Sequence, residues 1–119
     1  MVHYVDGFVI SLPKKNLNTY RRLAQKADRV WKDHGALEFR ECVGDDLNVE
    51  MGLSFPRGVK TKPGETVLVS YIVFKSRAHR DRVNARVMKD PRLGAMDPTT
   101  VPFDMKRMLY GGFKVLVAV

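Results

Sequence analysis

The spacing of hydrophobic and polar positions changes several times along the chain, and each change marks an element. Residues 4–12, Tyr-Val-Asp-Gly-Phe-Val-Ile-Ser-Leu, alternate as a strand does. Tyr4, Asp6, Phe8, Ile10 and Leu12 share one face and Val5, Gly7, Val9 and Ser11 the other, so both faces are largely apolar. Pro13 ends the run. From about Lys14 to His34 the spacing becomes helical, with Leu17, Tyr20, Ala24, Ala27, Trp31 and His34 on one stripe, Leu23 and Val30 widening it, and Gly35 as the stop. Residues 36–43 alternate again: Leu37, Phe39, Glu41 and Val43 oppose Ala36, Glu38, Arg40 and Cys42. A polar stretch from Gly44 to Gly64 follows, long enough to read as a functional, mobile or partly structured loop.

Residues 65–74 are β-branched and aromatic with no polar face, which suits a central strand covered on both sides. Ser76 is placed to cap a helix from Arg77 to Lys89, which Asp90-Pro91 ends. After an irregular segment from Leu93 to Asp104, residues 107–117 give the last strand. The Gly111-Gly112 pair inside it predicts a bulge or a close approach by another group.

The order β-α-β-β-α-β is the ferredoxin-like pattern, an α+β fold with an antiparallel sheet and both helices on one face. With 119 residues and no internal linker or repeat, the chain reads as one domain over 1–119. Two helices cover one side of a sheet, yet the first and third strands are apolar on both. A second copy packed sheet against sheet resolves that conflict, so a homodimer is expected. Membrane insertion is not expected, because no run of 18 apolar residues occurs. The first residues lack a basic segment followed by an apolar one, which points to the cytoplasm.

The net charge of +8 raises the question of nucleic acid. The cations run from Lys14 to Lys114 without forming a tail, and the third strand, with Tyr71 and Phe74, lacks the stacking pattern of an RNA-recognition domain. Nucleic acid is therefore not the expected partner, and weak RNA or anion binding through the second helix is kept as an alternative. Three His and one Cys show no ligand spacing, so neither a metal nor another cofactor is expected. Cys42 reads as a small strand hydrophobe.

The segments Tyr4-Val5-Asp6-Gly7-Phe8, Gly44-Asp45-Asp46, Phe55-Pro56-Arg57, Asp90-Pro91-Arg92 and Tyr110-Gly111-Gly112-Phe113 together resemble the YbaA-like proteins of bacteria. That family of unknown function lies in the dimeric α/β-barrel superfamily. The resemblance runs over nearly the whole chain, with Met105 standing where the family pattern leads one to expect Gly. It implies a ferredoxin-like protomer whose dimer closes two sheets into a barrel, and it supplies no activity.

Candidate chemistry centres on Asp6, a carboxylate among apolar strand neighbours. Its structural reading is an ion pair across to the last strand, where the expected register favours Lys114 over Arg107 and leaves Arg107 near the Lys14 end of the sheet or at the dimer seam. Its functional reading is a general base, a role for which His79 is the other candidate. Glu41, Tyr71, Asn84 and Tyr110 are the candidate ligand contacts. Small oxygenases of the same superfamily bring an Asn, a Trp and a His together; here the first strand carries Asp6 instead of Asn, and Trp31 reads as core packing. The expected function is small-molecule binding in a cavity of the barrel, with a cofactor-independent oxygenase or isomerase as the enzymatic alternative.

Overall fold

The computed structural model describes residues 3–94 and 101–118. Its elements follow in the order β1 (Tyr4–Pro13), α1 (Leu17–Asp33), β2 (Glu38–Val43), α2 (Phe55–Gly58), β3 (Glu65–Phe74), α3 (Arg77–Met88), α4 (Pro91–Gly94) and β4 (Leu109–Lys114). The four strands form one antiparallel sheet in the order β2-β3-β1-β4. This is the ferredoxin-like arrangement. The two strands read as apolar on both faces, β1 and β3, occupy its centre.

Local chemistry explains the element ends. Gly35 follows α1 at a φ of +112°, a conformation that a side chain would strain. The Ser76 hydroxyl accepts from the His79 backbone N–H at 3.1 Å and so starts α3, as its position predicts. The polar stretch after β2 is partly structured: Ser54 caps the one-turn α2, with Pro56 in its first turn.

Beneath the helices, two apolar clusters pack on the sheet. Tyr4, Ile72 and Phe74 meet Val30, Val83 and Val87 in one. Ile10, Leu12 and Leu68 meet Tyr20 and Ala24 in the other. The 3- and 4-residue spacings of α1 and α3 thus supply a core that is split in two, and the junction between its halves is a cleft.

Among the described residues, the opposite face of the sheet carries neither α1 nor α3. Ser11 and Val67 are buried at one end of it, where the α2 segment packs against β3. Leu109 stays 55% exposed and Phe113 61%, beside Val69 and Phe55. The shortest dimension of the molecule, 20 Å, is that of two layers stacked about 10 Å apart.

Two expectations need correction. The last strand is shorter than residues 107–117, and Gly111-Gly112 makes no bulge: Gly7 pairs with Gly111 and Asp6 with Gly112 in continuous register. The glycines are there for close approach within the chain. A Cβ on Gly112 would run into the Tyr4 hydroxyl, and the Phe113 ring lies over both Gly7 and Gly111.

Candidate functional site

Strand alternation sends Asp6, Phe8 and Ile10 of β1, Phe39 and Glu41 of β2, Ser70 and Ile72 of β3, and Tyr110 of β4 to the helix side. Over them stand Tyr20 and Trp31 of α1 and Asn84 of α3. The space left is a cleft of about 420 Å³, within the roughly 300–1,000 Å³ of small-molecule sites. Met88, Met105 and Met108 complete its apolar wall.

At one end Asp6 is only 1% exposed. Arg80 donates to its Oδ1 at 3.0 Å, and Asn84 Nδ2 donates to its Oδ2 at 3.4 Å. Asn84 is held in turn by Trp31, whose Nε1 donates to its Oδ1 at 3.0 Å. Arg80 also reaches the Tyr110 hydroxyl at 3.1 Å, lies over the Tyr4 ring at 5.0 Å, and pairs with Asp81 at 2.9 Å. Burial pushes the Asp6 carboxyl above its ordinary value, against the opposing pull of Arg80. This end is a network that joins β1, β4, α1 and α3 with its polar groups largely satisfied.

At the other end Glu41 accepts a 2.7 Å hydrogen bond from the Tyr20 hydroxyl. Burial pushes the Glu41 carboxyl up, with Asp28 adding to the effect. Burial and Glu41 together push the Tyr20 phenol up as well. Beyond this pair a second groove, of about 360 Å³, runs between α1 and β2 and shares Tyr20, Phe39 and Glu41 with the cleft.

Of the residues singled out from sequence, Asp6, Glu41, Asn84 and Tyr110 meet on this cleft. Tyr71 does not, because its place in β3 turns it to the open face. His79 does not either. Its Nδ1 accepts from the Lys75 backbone N–H at 3.0 Å and its ring packs edge-on against Phe74. Burial and then nearby cations lower its pKa. Asp6 pairs with Arg80 in place of Lys114, since Lys114 sits opposite Tyr4 in the register. Arg107 does lie near the Lys14 end, where it holds Glu65 by two bonds of 2.8 and 2.9 Å. Trp31, expected as core packing, lines the cleft while also packing on Phe39. Arg80 is a further residue of the site, not among the candidates from sequence. Its spacing with Val83 and Val87, which puts an Arg on the buried stripe of α3, is the signal that identifies it. Among the described residues, no group of three or more His, Cys, Asp or Glu could hold a metal ion.

Over residues 3–105 the chain matches the family described as protein of unknown function DUF1428. It is 39% identical over 114 residues to the uncharacterized protein YbaA of Escherichia coli K12, covering 96% of this chain and 97% of that one. YbaA of Shigella flexneri matches with the same identity and coverage. In fold, the chain resembles a dimeric ferredoxin-like protein from an uncultured marine organism, with a TM-score of 0.64, 12% identity and 100% of both chains covered. A nipsnap family protein of unknown function from Agrobacterium tumefaciens superposes with a TM-score of 0.58 and 16% identity, over 95% of this chain and 87% of that one. A DUF1428 match across most of the chain, joined to 39% identity with YbaA and to a ferredoxin-like fold, makes this chain a member of the YbaA-like DUF1428 family.

Proposed function

We propose that the protein binds a small, largely apolar molecule in the cleft between sheet and helices, and does so as a homodimer. The observation that carries the binding reading is the cleft itself: aromatic and Met walls with a few polar groups at its ends, the composition of a ligand pocket. The single Trp of the chain is one of its walls, so Trp31 emission reports occupancy. Titration with the neutral probe 4-phenylbutan-1-ol is expected to shift that emission saturably. A flat response to this alcohol and to its amine and carboxylate analogues, up to their solubility limits, would sink the binding reading.

The dimer reading rests on the open face. Leu109, Phe113, Val69 and Phe55 form one apolar surface there, of a kind that soluble monomers seldom leave in water. A fold neighbour described as dimeric adds support. Sedimentation at micromolar concentration is expected to give twice the 13.6 kDa chain mass, and Phe113→Glu is expected to return it to 13.6 kDa. A wild-type monomer would contradict this.

The cofactor-independent oxygenase or isomerase reading is less favoured: of its two base candidates, His79 stands apart from the cleft and both oxygens of Asp6 are already engaged. Anion binding through the second long helix would draw on the cations of α3, whereas the basic groove of Arg22, Lys26, Arg29 and Arg92 belongs to α1 and α4. Among the described residues no helix is long and apolar enough to cross a membrane, and the lone Cys42 fits a reducing compartment such as the cytoplasm.

A further inference from the structure

The charges that face the cleft are out of character for the protein. The chain carries a formal charge of +8, yet the cleft is lined by two carboxylates, Asp6 and Glu41, and by no Lys, Arg or His. The two carboxylates also differ. Arg80 balances the charge of Asp6 from behind, and Asn84 occupies its second oxygen. Glu41 has no cation within ion-pairing distance among the described residues. Its side-chain partners there are both neutral hydroxyls, Tyr20 at 2.7 Å from Oε1 and the neighbouring Ser70, and the residue is exposed enough to meet a ligand. The one cation lining the adjoining groove, Arg21, is turned to Asn18 at 3.0 Å, and Asp28 lies on the same wall.

We infer that the ligand of this cleft is an amphiphilic amine, whose protonated nitrogen is held by Glu41 beside Tyr20 while its apolar body lies against Phe39, Trp31 and Ile72. The inference rests on the small-molecule reading above and names the ligand class. An ammonium supplies the countercharge that Glu41 lacks and donates to its carboxylate. A ligand carboxylate at the same place would put two like charges within a few ångströms in a partly desolvated setting, which is repulsive. A neutral alcohol could donate one hydrogen bond and no charge, so it ranks between the two. Asp28, close enough to add to the upward push on Glu41, makes this end of the site more negative still. The overall charge of the protein works against binding a cation, so a preference for amines reports the local site and not the general field.

The test compares three probes of one shape, 4-phenylbutylamine, 4-phenylbutan-1-ol and 4-phenylbutanoate, by calorimetry and Trp31 emission at about pH 8. At that pH the amine is protonated. The expected order is amine, alcohol, acid, with the amine at least about tenfold tighter than the alcohol, or about 1.4 kcal/mol. In Glu41→Gln, checked for an unchanged fold by circular dichroism, the tenfold advantage of the amine over the alcohol is expected to vanish. Equal binding of amine and alcohol by the wild type, tightest binding by the acid, or an amine advantage that survives Glu41→Gln would each overturn the assignment and leave the cleft reading standing. Failure of all three probes to perturb Trp31 would overturn both. The ranking in the wild type decides the matter even if the variant does not fold.

Discussion

Asp6 and Glu41 are both carboxylates on helix-facing strand positions, but Asp6 is buried and Glu41 is exposed at the sheet edge. Each is raised by desolvation, and each borders the same cleft. They differ in what the fold offers them. Asp6 lies on a central strand beneath α3, where Arg80 and Asn84, one helical turn apart, both point at it. Glu41 lies on the edge strand β2 beneath α1, which gives it two neutral hydroxyls, Tyr20 and Ser70, and among the described residues no cation. A carboxylate supplied with a cation and an amide becomes part of the framework. One left with neutral donors alone, and open to solvent, has capacity for a ligand.

The contrast is sharpest in stability. Asp6→Ala removes one partner of a buried ion pair and strands Arg80, so a loss of about 3–5 kcal/mol is expected in urea denaturation. Asp6→Asn keeps the shape and one acceptor and is expected to lose less, about 1–3 kcal/mol. A change in Asp6→Ala within experimental error would mean that the network carries no load.

Glu65 provides a third case, a carboxylate with a side chain 10% exposed that a cation holds by two bonds. Its two bonds to Arg107 and one of 2.7 Å from the Lys62 backbone N–H hold its carboxyl down at about 2, from an ordinary 4.5. A depressed carboxyl contributes stability that is complete above about pH 4.5 and is lost as the pH falls to about 2. Glu65→Gln is therefore expected to lose about 1.5 kcal/mol at pH 7 and nothing at pH 2. Equal losses at both pH values would refute the linkage.

Glu41→Gln has the smallest expected effect, within about 0.5 kcal/mol at pH 7, because the amide oxygen still accepts from Tyr20 and no ion pair is broken. A raised carboxyl opposes folding when ionised, and that opposition is relieved as the pH falls through its folded value toward 4.5. Wild type is thus expected to gain slightly on mild acidification relative to Glu41→Gln. A loss of 2 kcal/mol or more in this variant would place Glu41 with Asp6 in the framework and remove the basis of the comparison.

Much of this was legible in the residues. The β3 run Glu65–Phe74, the Ser76 cap and the two-sided apolarity of β1 and β3 each follow from local spacing, and together they require the sheet with one bare face. Asp6 and Glu41 stand out as polar groups on otherwise apolar strand faces, and the cleft gathers them with Asn84 and Tyr110. What sequence could not supply was register and helix rotation. A two-residue difference in the pairing of β1 with β4 puts Gly112 where Lys114 was expected, and the turn of α3 brings Arg80 instead. Strand parity alone separates Tyr71 from the cleft, and it was available from the alternation of β3. His79 had no such signal: its ring answers to the backbone of Lys75, a contact set by the entry of α3.

The most direct measurement is backbone and side-chain amide mapping by heteronuclear NMR as 4-phenylbutylamine is added. The account predicts shifts at the Trp31 indole N–H, the Asn84 side-chain amide and the backbone of Phe39 and Glu41, with Leu109, Gly111 and Phe113 unmoved. Shifts confined to those three residues of the open face, with Trp31 and Asn84 unmoved, would contradict it.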